Sequence, residues 1–411
     1  MKYLAYLMSL ALIFVIPWEN SVEVRNIGTI SRFIGLVTAG AWLLAVVFEG
    51  NMRRPSLYLG LVTAFVAWNA LSVFWSIVPS TTVRVVFTYV QLLVLVYLLW
   101  DLYRTQTAIR AALQAYVLGA WIAIASLISN LVMGRHGAVN RYTVEGFNAD
   151  HAGLLLVIGM PIAWGLAMLM STQRRGGLLR WLNLAYMPAA FLGIALTATR
   201  TALITTIPAI LFAVASLARL SPGRRFAIGL LAVAGVVAIL PLVPQTSVER
   251  FLTTGSEIST GTLGGRGHIW KTGLQTYSQR PVLGVGAGAF KAAVGIGKVA
   301  HNAFISILVE LGIVGIAQFL GIVGVAFAQA LRHPPWGARF WVTLMVIWVV
   351  GASSLSWENK KLTWLVLTLT AASGAVQARP RRRTAGPGET GREEGVELMP
   401  ELELVPEVDP A

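Results

Sequence analysis

Two arginines and one histidine carry the side chains from which a site for a departing phosphate group can be built. Arg200 lies in TATRTALITT, between two apolar runs, and Arg266 begins the polar, glycine-rich segment RGHIWKTGLQTYSQRPVLGVGAGAF. Each guanidinium can bind phosphate oxygens with two hydrogen bonds, a contact worth roughly 4 kcal/mol at an effective dielectric of about 20, before desolvation. His301, in AHNAFISILVELGIVG, is suited as a neutral imidazole to take a proton from a hydroxyl. The three residues predict an anion site beside a candidate base.

Each of these residues also has a structural interpretation. An arginine near a helix end can extend its charge to the membrane interface, and a single histidine is more often structural than catalytic. However, His301 is one of only five histidines, and no cysteine or paired carboxylates nearby provide another base. All three residues fall on the same predicted side of the membrane, which favours the functional interpretation.

Four further residues are candidates for binding the same ligand: Trp270, Tyr277, Asn302 and Glu310. In a helix over 266–280 the two aromatic residues share one face with Arg266, although a helix lying on the lipid surface has the same pattern. The asparagine begins a long apolar helix. The glutamate is either a partner for an arginine or a hydrogen-bond acceptor in helix packing.

The glycines of GVGAGAF, at 284, 286 and 288, permit either a tight turn or backbone N–H groups directed at an anion. The predicted outer side has few carboxylates and no Asp-x-Asp pair, so we expect no metal site and no cofactor. The chain has no cysteine, which excludes disulfides and thiol chemistry.

Membrane helices must position these residues. Hydrophobic residues make up 56% of the 411-residue chain and charged residues only 12%, and apolar runs long enough to cross the hydrocarbon recur throughout. The pattern predicts an all-α polytopic membrane protein with about twelve transmembrane helices. Their predicted centres lie within 3–18, 29–48, 57–77, 83–100, 107–132, 151–171, 181–198, 201–218, 226–243, 303–331, 340–356 and 362–378.

Arginine-rich connections alternate along the chain, for example around Arg53, Arg104, Arg224 and Arg332. This bias predicts that both termini are cytoplasmic and that the segment at 266–290 faces the periplasm. The net charge of +14 then mainly reflects the cationic connections that orient the chain in the membrane. It predicts contact with inner-membrane lipids rather than with nucleic acid.

The same pattern divides the chain into four parts. Residues 1–243 hold the first nine transmembrane helices, and 244–302 form a long periplasmic loop with an amphipathic helix. Residues 303–378 hold the last three transmembrane helices. The Glu-, Pro- and Gly-rich segment 379–411 is a predicted disordered cytoplasmic tail.

The order TRTAL, GRGHIW, RPVLGVGAGAF and HNAFISILVELGIVG resembles the O-antigen ligase and polymerase superfamily of bacterial membrane glycosyltransferases, most clearly over residues 198–315. The resemblance implies a multi-pass protein of the bacterial inner membrane with a glycosyltransferase fold of the GT-C type and a periplasmic active site. It implies inverting, metal-independent transfer of a glycan from an undecaprenyl pyrophosphate-linked O-antigen donor to a sugar hydroxyl of a lipid A core acceptor. Arg200 and Arg266 would bind the pyrophosphate, and His301 would activate the acceptor.

Other activities remain open. Within the superfamily, a polymerase that extends the undecaprenyl-linked glycan is the main alternative to a ligase, and the sequence contains no decisive discriminator. A large folded C-terminal periplasmic domain, which often accompanies transfer to protein, is not predicted. In another class, a flippase for lipid-linked sugars would have repeats and charges near the bilayer midplane, whereas the distinctive charges here gather on one face.

Overall fold

The computed structural model describes residues 1–25, 27–137, 141–170, 177–253 and 265–378. These residues are mainly α-helical, with one short antiparallel strand pair, β1 (Glu23–Val24) and β2 (Gly28–Thr29). The predicted all-α fold is confirmed. The predicted tail at 379–411 and part of the predicted loop, at 254–264, lie outside the described residues.

Fifteen α-helices are described in these ranges. They are α1 (Lys2–Val15), α2 (Ile30–Glu49), α3 (Leu57–Leu71), α4 (Pro79–Leu102), α5 (Gln106–Val132), α6 (Ala149–Met170), α7 (Gly177–Thr197), α8 (Arg200–Leu217), α9 (Pro222–Ile239), α10 (Gln245–Leu252), α11 (Arg266–Gln279), α12 (Phe290–Val294), α13 (Ala303–Ala330), α14 (Pro335–Ala352) and α15 (Lys361–Gln377).

Each of the twelve predicted spans corresponds to one of these helices. Ten of the described helices are long and apolar enough to cross a membrane by length and composition; these are α2 to α9, α13 and α14. The first span is a shorter apolar helix, Lys2–Trp18, and the last, α15, has 17 residues. The chain is therefore an all-α polytopic membrane protein, with ten candidate spans and two shorter apolar helices among its described residues.

The helices α6 and α15 form the centre of the bundle. Every side chain of α6 from Ala152 to Ala167 is buried, as is every side chain of α15 from Leu362 to Gly374. At Gly159 an added Cβ would lie 2.1 Å from the hydroxyl of Tyr186, which donates to the carbonyl of Leu156 at 3.1 Å. Glycine at this position lets α7 approach α6 closely.

The long helix α13 is broken one-third of the way along its length. Gly312 has φ 66° and ψ −165°, a conformation that suits glycine because it lacks a Cβ. The break frees backbone groups that a helix would otherwise pair. The segment 281–288 takes them up: Val285 and Gly286 donate to the carbonyls of Val309 and Glu310 at 3.1 and 2.8 Å, and Ile313 donates to Pro281.

This inserted segment explains the glycine-rich motif. A Cβ at Gly284 would lie 2.4 Å from the Glu310 carbonyl oxygen, and one at Gly286 would lie 2.4 Å from Ser76. Both glycines have positive φ angles. The motif forms a tight turn within the bundle, and it holds the segment after α11 against α13.

Candidate functional site

The carboxylate of Asp150 connects two arginines from distant parts of the chain. Asp150 stands in the first turn of α6. Its Oδ1 pairs with the guanidinium of Arg141, and its Oδ2 lies 3.5 Å from Nη2 of Arg266. Thr199 joins this group, accepting a hydrogen bond from Arg141 at 2.9 Å and donating to the Ala149 carbonyl at 3.0 Å. A cationic cluster with one central counter-ion therefore lies at this end of the bundle.

The turn between α7 and α8 approaches α6 closely at this cluster. Ala198 has φ 48°, which is unusual for a residue with a Cβ. Arg141 donates from Nε to the Thr197 carbonyl at 2.8 Å. Gly153 leaves room for the turn, since a Cβ there would lie 2.9 Å from the hydroxyl of Thr197.

Arg200 is the first residue of α8 and immediately follows this turn. Its Nε donates to the carbonyl of Arg250 at 2.8 Å, and its Nη2 donates to the hydroxyl of Thr253 at 2.9 Å. These contacts attach the end of α10 to the start of α8. Arg200 is thus next in sequence to Thr199 of the Asp150 cluster, while its guanidinium bonds to α10.

His301 is half-buried and belongs to the same group of charges. Burial, followed by the nearby charge of Arg266, lowers the pKa of the imidazole below its usual value, and Asp150 opposes this shift. The neutral ring, which can accept a proton, is therefore favoured. The backbone of His301 has φ 48°, so among the described residues the two non-glycines with positive φ, Ala198 and His301, both lie at this site.

Trp270 fixes the chain just before His301. Its indole N–H donates to the Ala300 carbonyl at 2.9 Å. The rings of Trp270 and Tyr277 pack against a small apolar cluster that includes Ile269, Phe290 and Ala300. The predicted helix over 266–280 is observed as α11, and its aromatic face packs within the protein.

Asn302 and Glu310 make structural contacts on α13. The Asn302 side chain caps the helix, accepting from the N–H groups of Phe304 and Ile305 at 3.0 and 3.1 Å. The Glu310 carboxylate accepts from the N–H groups of Gly288 and Phe290 at 2.7 and 3.2 Å. The backbone N–H groups of the glycine motif thus bind a carboxyl group of the protein itself.

A buried carboxyl, that of Glu358, lies in the connection between α14 and α15. Burial, together with the charge of Glu310, raises the pKa of Glu358 to about 8. The Ser306 side chain interacts with both carboxyl groups. One hydroxyl has a single proton to donate, so Ser306 can donate to only one of the two carboxyl groups at a time.

The connection that carries Glu358 also contacts the Asp150 cluster. Trp357 stacks on the imidazole of His151 with ring centroids 5.6 Å apart. His151 is adjacent in sequence to Asp150 and also contacts the ring of Phe147. Two loops, at 141–148 and 353–360, therefore meet beside the candidate site.

Of the residues singled out from the sequence, the structure brings Arg266 and His301 together, with Trp270 and Asn302 supporting them. Arg200 lies at the edge, and Tyr277 and Glu310 lie in the supporting packing. Sequence reasoning missed Arg141 and did not select Asp150. Their signal was present, because NRYTVEGFNADH places an arginine and an aspartate in the other long connection of the predicted outer side.

Comparison with known proteins identifies a family match for part of the chain. Residues 184–320 match the family model described as O-antigen ligase. Among curated proteins, none matches the chain at a significant level. The matched range contains Arg200, Arg266 and His301 as well as the helix break at Gly312. This match over residues 184–320 supports membership of the chain in the O-antigen ligase and polymerase superfamily.

Proposed function

We propose that this protein is an O-antigen ligase of the bacterial inner membrane. It transfers a glycan from undecaprenyl pyrophosphate to a sugar hydroxyl of lipid A core on the periplasmic side. The observation that carries the proposal is the convergence of Arg266, Asp150 and the half-buried, neutral-favouring His301 at one end of the bundle. The site combines an anion-binding group with a base, which glycosyl transfer from a pyrophosphate requires.

In the proposed reaction His301 accepts the proton of the acceptor hydroxyl. The hydroxyl oxygen attacks the anomeric carbon and forms the new C–O bond, while the bond between that carbon and the pyrophosphate oxygen breaks with its electron pair. Direct attack from the opposite face inverts the anomeric centre. Arg266 and Arg200 stabilise the departing pyrophosphate, and the imidazolium then releases its proton to water.

The other site residues have positioning roles in this proposal. Trp270 holds the Ala300 carbonyl and thereby orients His301, and Asn302 caps the helix that follows. Asp150 fixes the guanidinium of Arg266. Glu310 anchors the glycine motif, which connects α11 to α13. Tyr277 packs behind α11 in the small apolar cluster.

The decisive experiment uses purified protein, an undecaprenyl pyrophosphate-linked glycan and lipid A core, with EDTA present. We expect product that depends on the acceptor in the wild type and its loss in His301→Ala. Arg266→Lys should rescue Arg266→Ala poorly, because an ammonium cannot form the two parallel bonds of a guanidinium. Loss of product on adding EDTA would contradict metal independence.

Two other outcomes would identify a different function. Elongation of the donor glycan without transfer to the core would identify a polymerase, the main alternative. Movement of the glycan lipid across liposome membranes without either product would identify a transporter. His301→Gln serves as a matched variant, since glutamine retains hydrogen-bonding capacity but cannot act as the base.

A further inference from the structure

A groove with a volume of about 470 Å³ runs between α2 and α4, and neither Arg200 nor Arg266 lines it. Its walls are apolar, with Leu36 and Leu43 on α2, Leu92 and Leu95 on α4, and Leu12 of α1. From Ser31 to Leu43 the lining of α2 extends over roughly 18 Å at the rise of an α-helix. Leu36 and Leu43 are half exposed, at 55% and 51%. The groove therefore has the length and the apolar lining of a binding site for a hydrocarbon chain.

One end of the groove is cationic. It is lined by Arg32, Lys360 and Lys361, and by the single carboxylate of Glu19. Lys361 pairs with Glu19 at 2.8 Å, and Ser31 also donates to that carboxylate. Three cations against one carboxylate leave a net charge of +2 at this rim. Basic pockets between transmembrane helices suit phosphorylated lipid headgroups.

The cationic rim adjoins the candidate site. Lys360 is two residues from Glu358, and its charge acts on His151, the neighbour of Asp150. Trp357, in the same connection, stacks on His151. A lipid whose headgroup lies on the rim would therefore hold its attached sugars on the side of the bundle where Arg266 and His301 converge.

We infer that this groove seats an acyl chain of the acceptor, a phosphorylated acyl glycolipid, with its phosphate against Arg32 and Lys360. The inference rests on the proposed function, because transfer of a glycan from one lipid to another requires two separate lipid-binding sites. The donor pyrophosphate is assigned to Arg200 and Arg266, neither of which lines the groove. The combination of an apolar wall and a cationic rim complements an anionic lipid.

Photo-crosslinking tests where the acceptor lies. A photoreactive amino acid is placed at Leu43, which lines the groove, or at Leu44, which does not and has a similar exposure of 49%. Both variants carry His301→Ala, so labelling does not depend on turnover, and both are reconstituted in zwitterionic nanodiscs with lipid A. We expect a much higher yield of lipid A adducts at position 43 than at position 44. Unlabelled lipid A should reduce the yield at position 43, whereas undecaprenyl phosphate should not.

The rim is tested with Arg32→Gln combined with Lys360→Gln. Removing two cations should weaken lipid A labelling at position 43 by roughly 30-fold, and in an otherwise wild-type chain it should raise the KM for acceptor while leaving that for donor unchanged. Equal labelling at positions 43 and 44, or equal competition by phosphatidylglycerol or undecaprenyl phosphate, would overturn the inference. Glycan transfer to lipid A core without lipid A cross-links at position 43 would refute only the assignment of the groove. Cross-links at position 43 without glycan transfer in the wild type would support a lipid-binding groove and refute the ligase proposal.

Discussion

At the scale of single residues, the protonation of His301 sets the pH range of the proposed reaction. Burial and the charge of Arg266 lower its pKa, so the imidazole loses its function as a base only below about pH 6.5, the ordinary value for histidine. Lys298 is exposed and also lowers this pKa. Two cations, Arg266 and Lys298, therefore favour the neutral imidazole at this site.

We predict that the acid limb of transfer activity lies below about pH 6.5 in the wild type and moves upward in Lys298→Gln. The shift should be a few tenths of a unit and should shrink at high salt, because exposed charges are screened. The measurement is kcat/KM for acceptor against pH at low and high ionic strength. Lys271→Gln, which removes an exposed lysine that does not act on His301, is the control, and equal shifts in both variants would contradict the assignment.

The buried carboxyl of Glu358 makes stability depend on pH. Its pKa of about 8 in the folded protein exceeds the value of about 4.3 for an unfolded chain. The folded state then binds more protons than the unfolded state across this window, so stability falls as pH rises through it.

Glu358→Gln replaces the protonated acid with a neutral side chain of the same shape. We predict that the difference in melting temperature, variant minus wild type, increases from pH 5 to pH 8. The increase should be a few degrees, since about 1 kcal/mol corresponds to about 2–4 °C in large domains. Thermal unfolding in detergent at several pH values measures this difference. Glu145→Gln, at an exposed carboxylate, should change little, and a pH-independent difference for Glu358→Gln would rule out titration in this window.

At the scale of elements, the break in α13 and the segment inserted beside it determine where α11 can lie. Gly312 cannot accept a side chain, because a Cβ would lie 2.1 Å from the carbonyl oxygen of Val282 and because φ is 66°. Gly324, in the same helix, has nothing within 4 Å of its Cβ position. Substitutions at the two glycines therefore distinguish the strain at the helix break from the general preference of a helix for alanine over glycine.

We predict that Gly312→Ala strongly destabilises the protein, by at least about 1–3 kcal/mol for the positive-φ backbone alone, with a further loss from the clash. Gly324→Ala should be neutral or stabilising by up to about 1 kcal/mol. Melting temperature and transfer activity should both fall in the first variant only. A wild-type melting temperature in Gly312→Ala would show that the segment at 281–288 does not depend on the break.

The positions of most helices follow from hydropathy alone, since a membrane span requires a long apolar run. The prediction of 303–331 agrees with Ala303–Ala330, and 29–48 agrees with Ile30–Glu49. The span predicted at 340–356 is observed as Pro335–Ala352, displaced because its first turns carry Arg339 and because proline favours the start of a helix. The break at Gly312 left no trace in the apolar pattern, because backbone conformation does not change hydropathy.

The candidate site was less predictable than the helices. Residue type and local context indicated Arg266 and His301, but the contact between Arg141 and Asp150 depends on how α6 meets the turn after α7. Trp270 was singled out as a ligand-binding ring, while its observed partner is the Ala300 carbonyl. The sequence shows which groups are unusual, whereas their partners are determined by tertiary packing.

At the scale of the whole molecule, the orientation in the membrane is the prediction on which the periplasmic site depends. The chain contains no cysteine, so one engineered thiol is the only thiol in each variant. Glu145 and Arg225 are both exposed. Glu145 lies in the connection before α6 and Arg225 in the first turn of α9, and these two positions are predicted to face opposite sides.

We predict that Glu145→Cys in intact spheroplasts reacts with a membrane-impermeant maleimide, whereas Arg225→Cys reacts only after lysis. The physical basis is the preference of arginine-rich connections for the cytoplasmic side. The same labelling after detergent solubilisation controls for the reactivity of each thiol. The reverse pattern would place the site in the cytoplasm.

The ion pair between Asp150 and Arg266 bears on selectivity in a membrane crowded with phosphates. Because the aspartate already pairs with this guanidinium, an arriving ligand must compete with an internal anion. A phosphodiester with a single negative charge gains little from such an exchange, whereas a pyrophosphate brings more charge and more oxygens to the arginines. Asp150 would thus make the site selective for ligands of higher negative charge, so that the abundant monoanionic phospholipids do not occupy it.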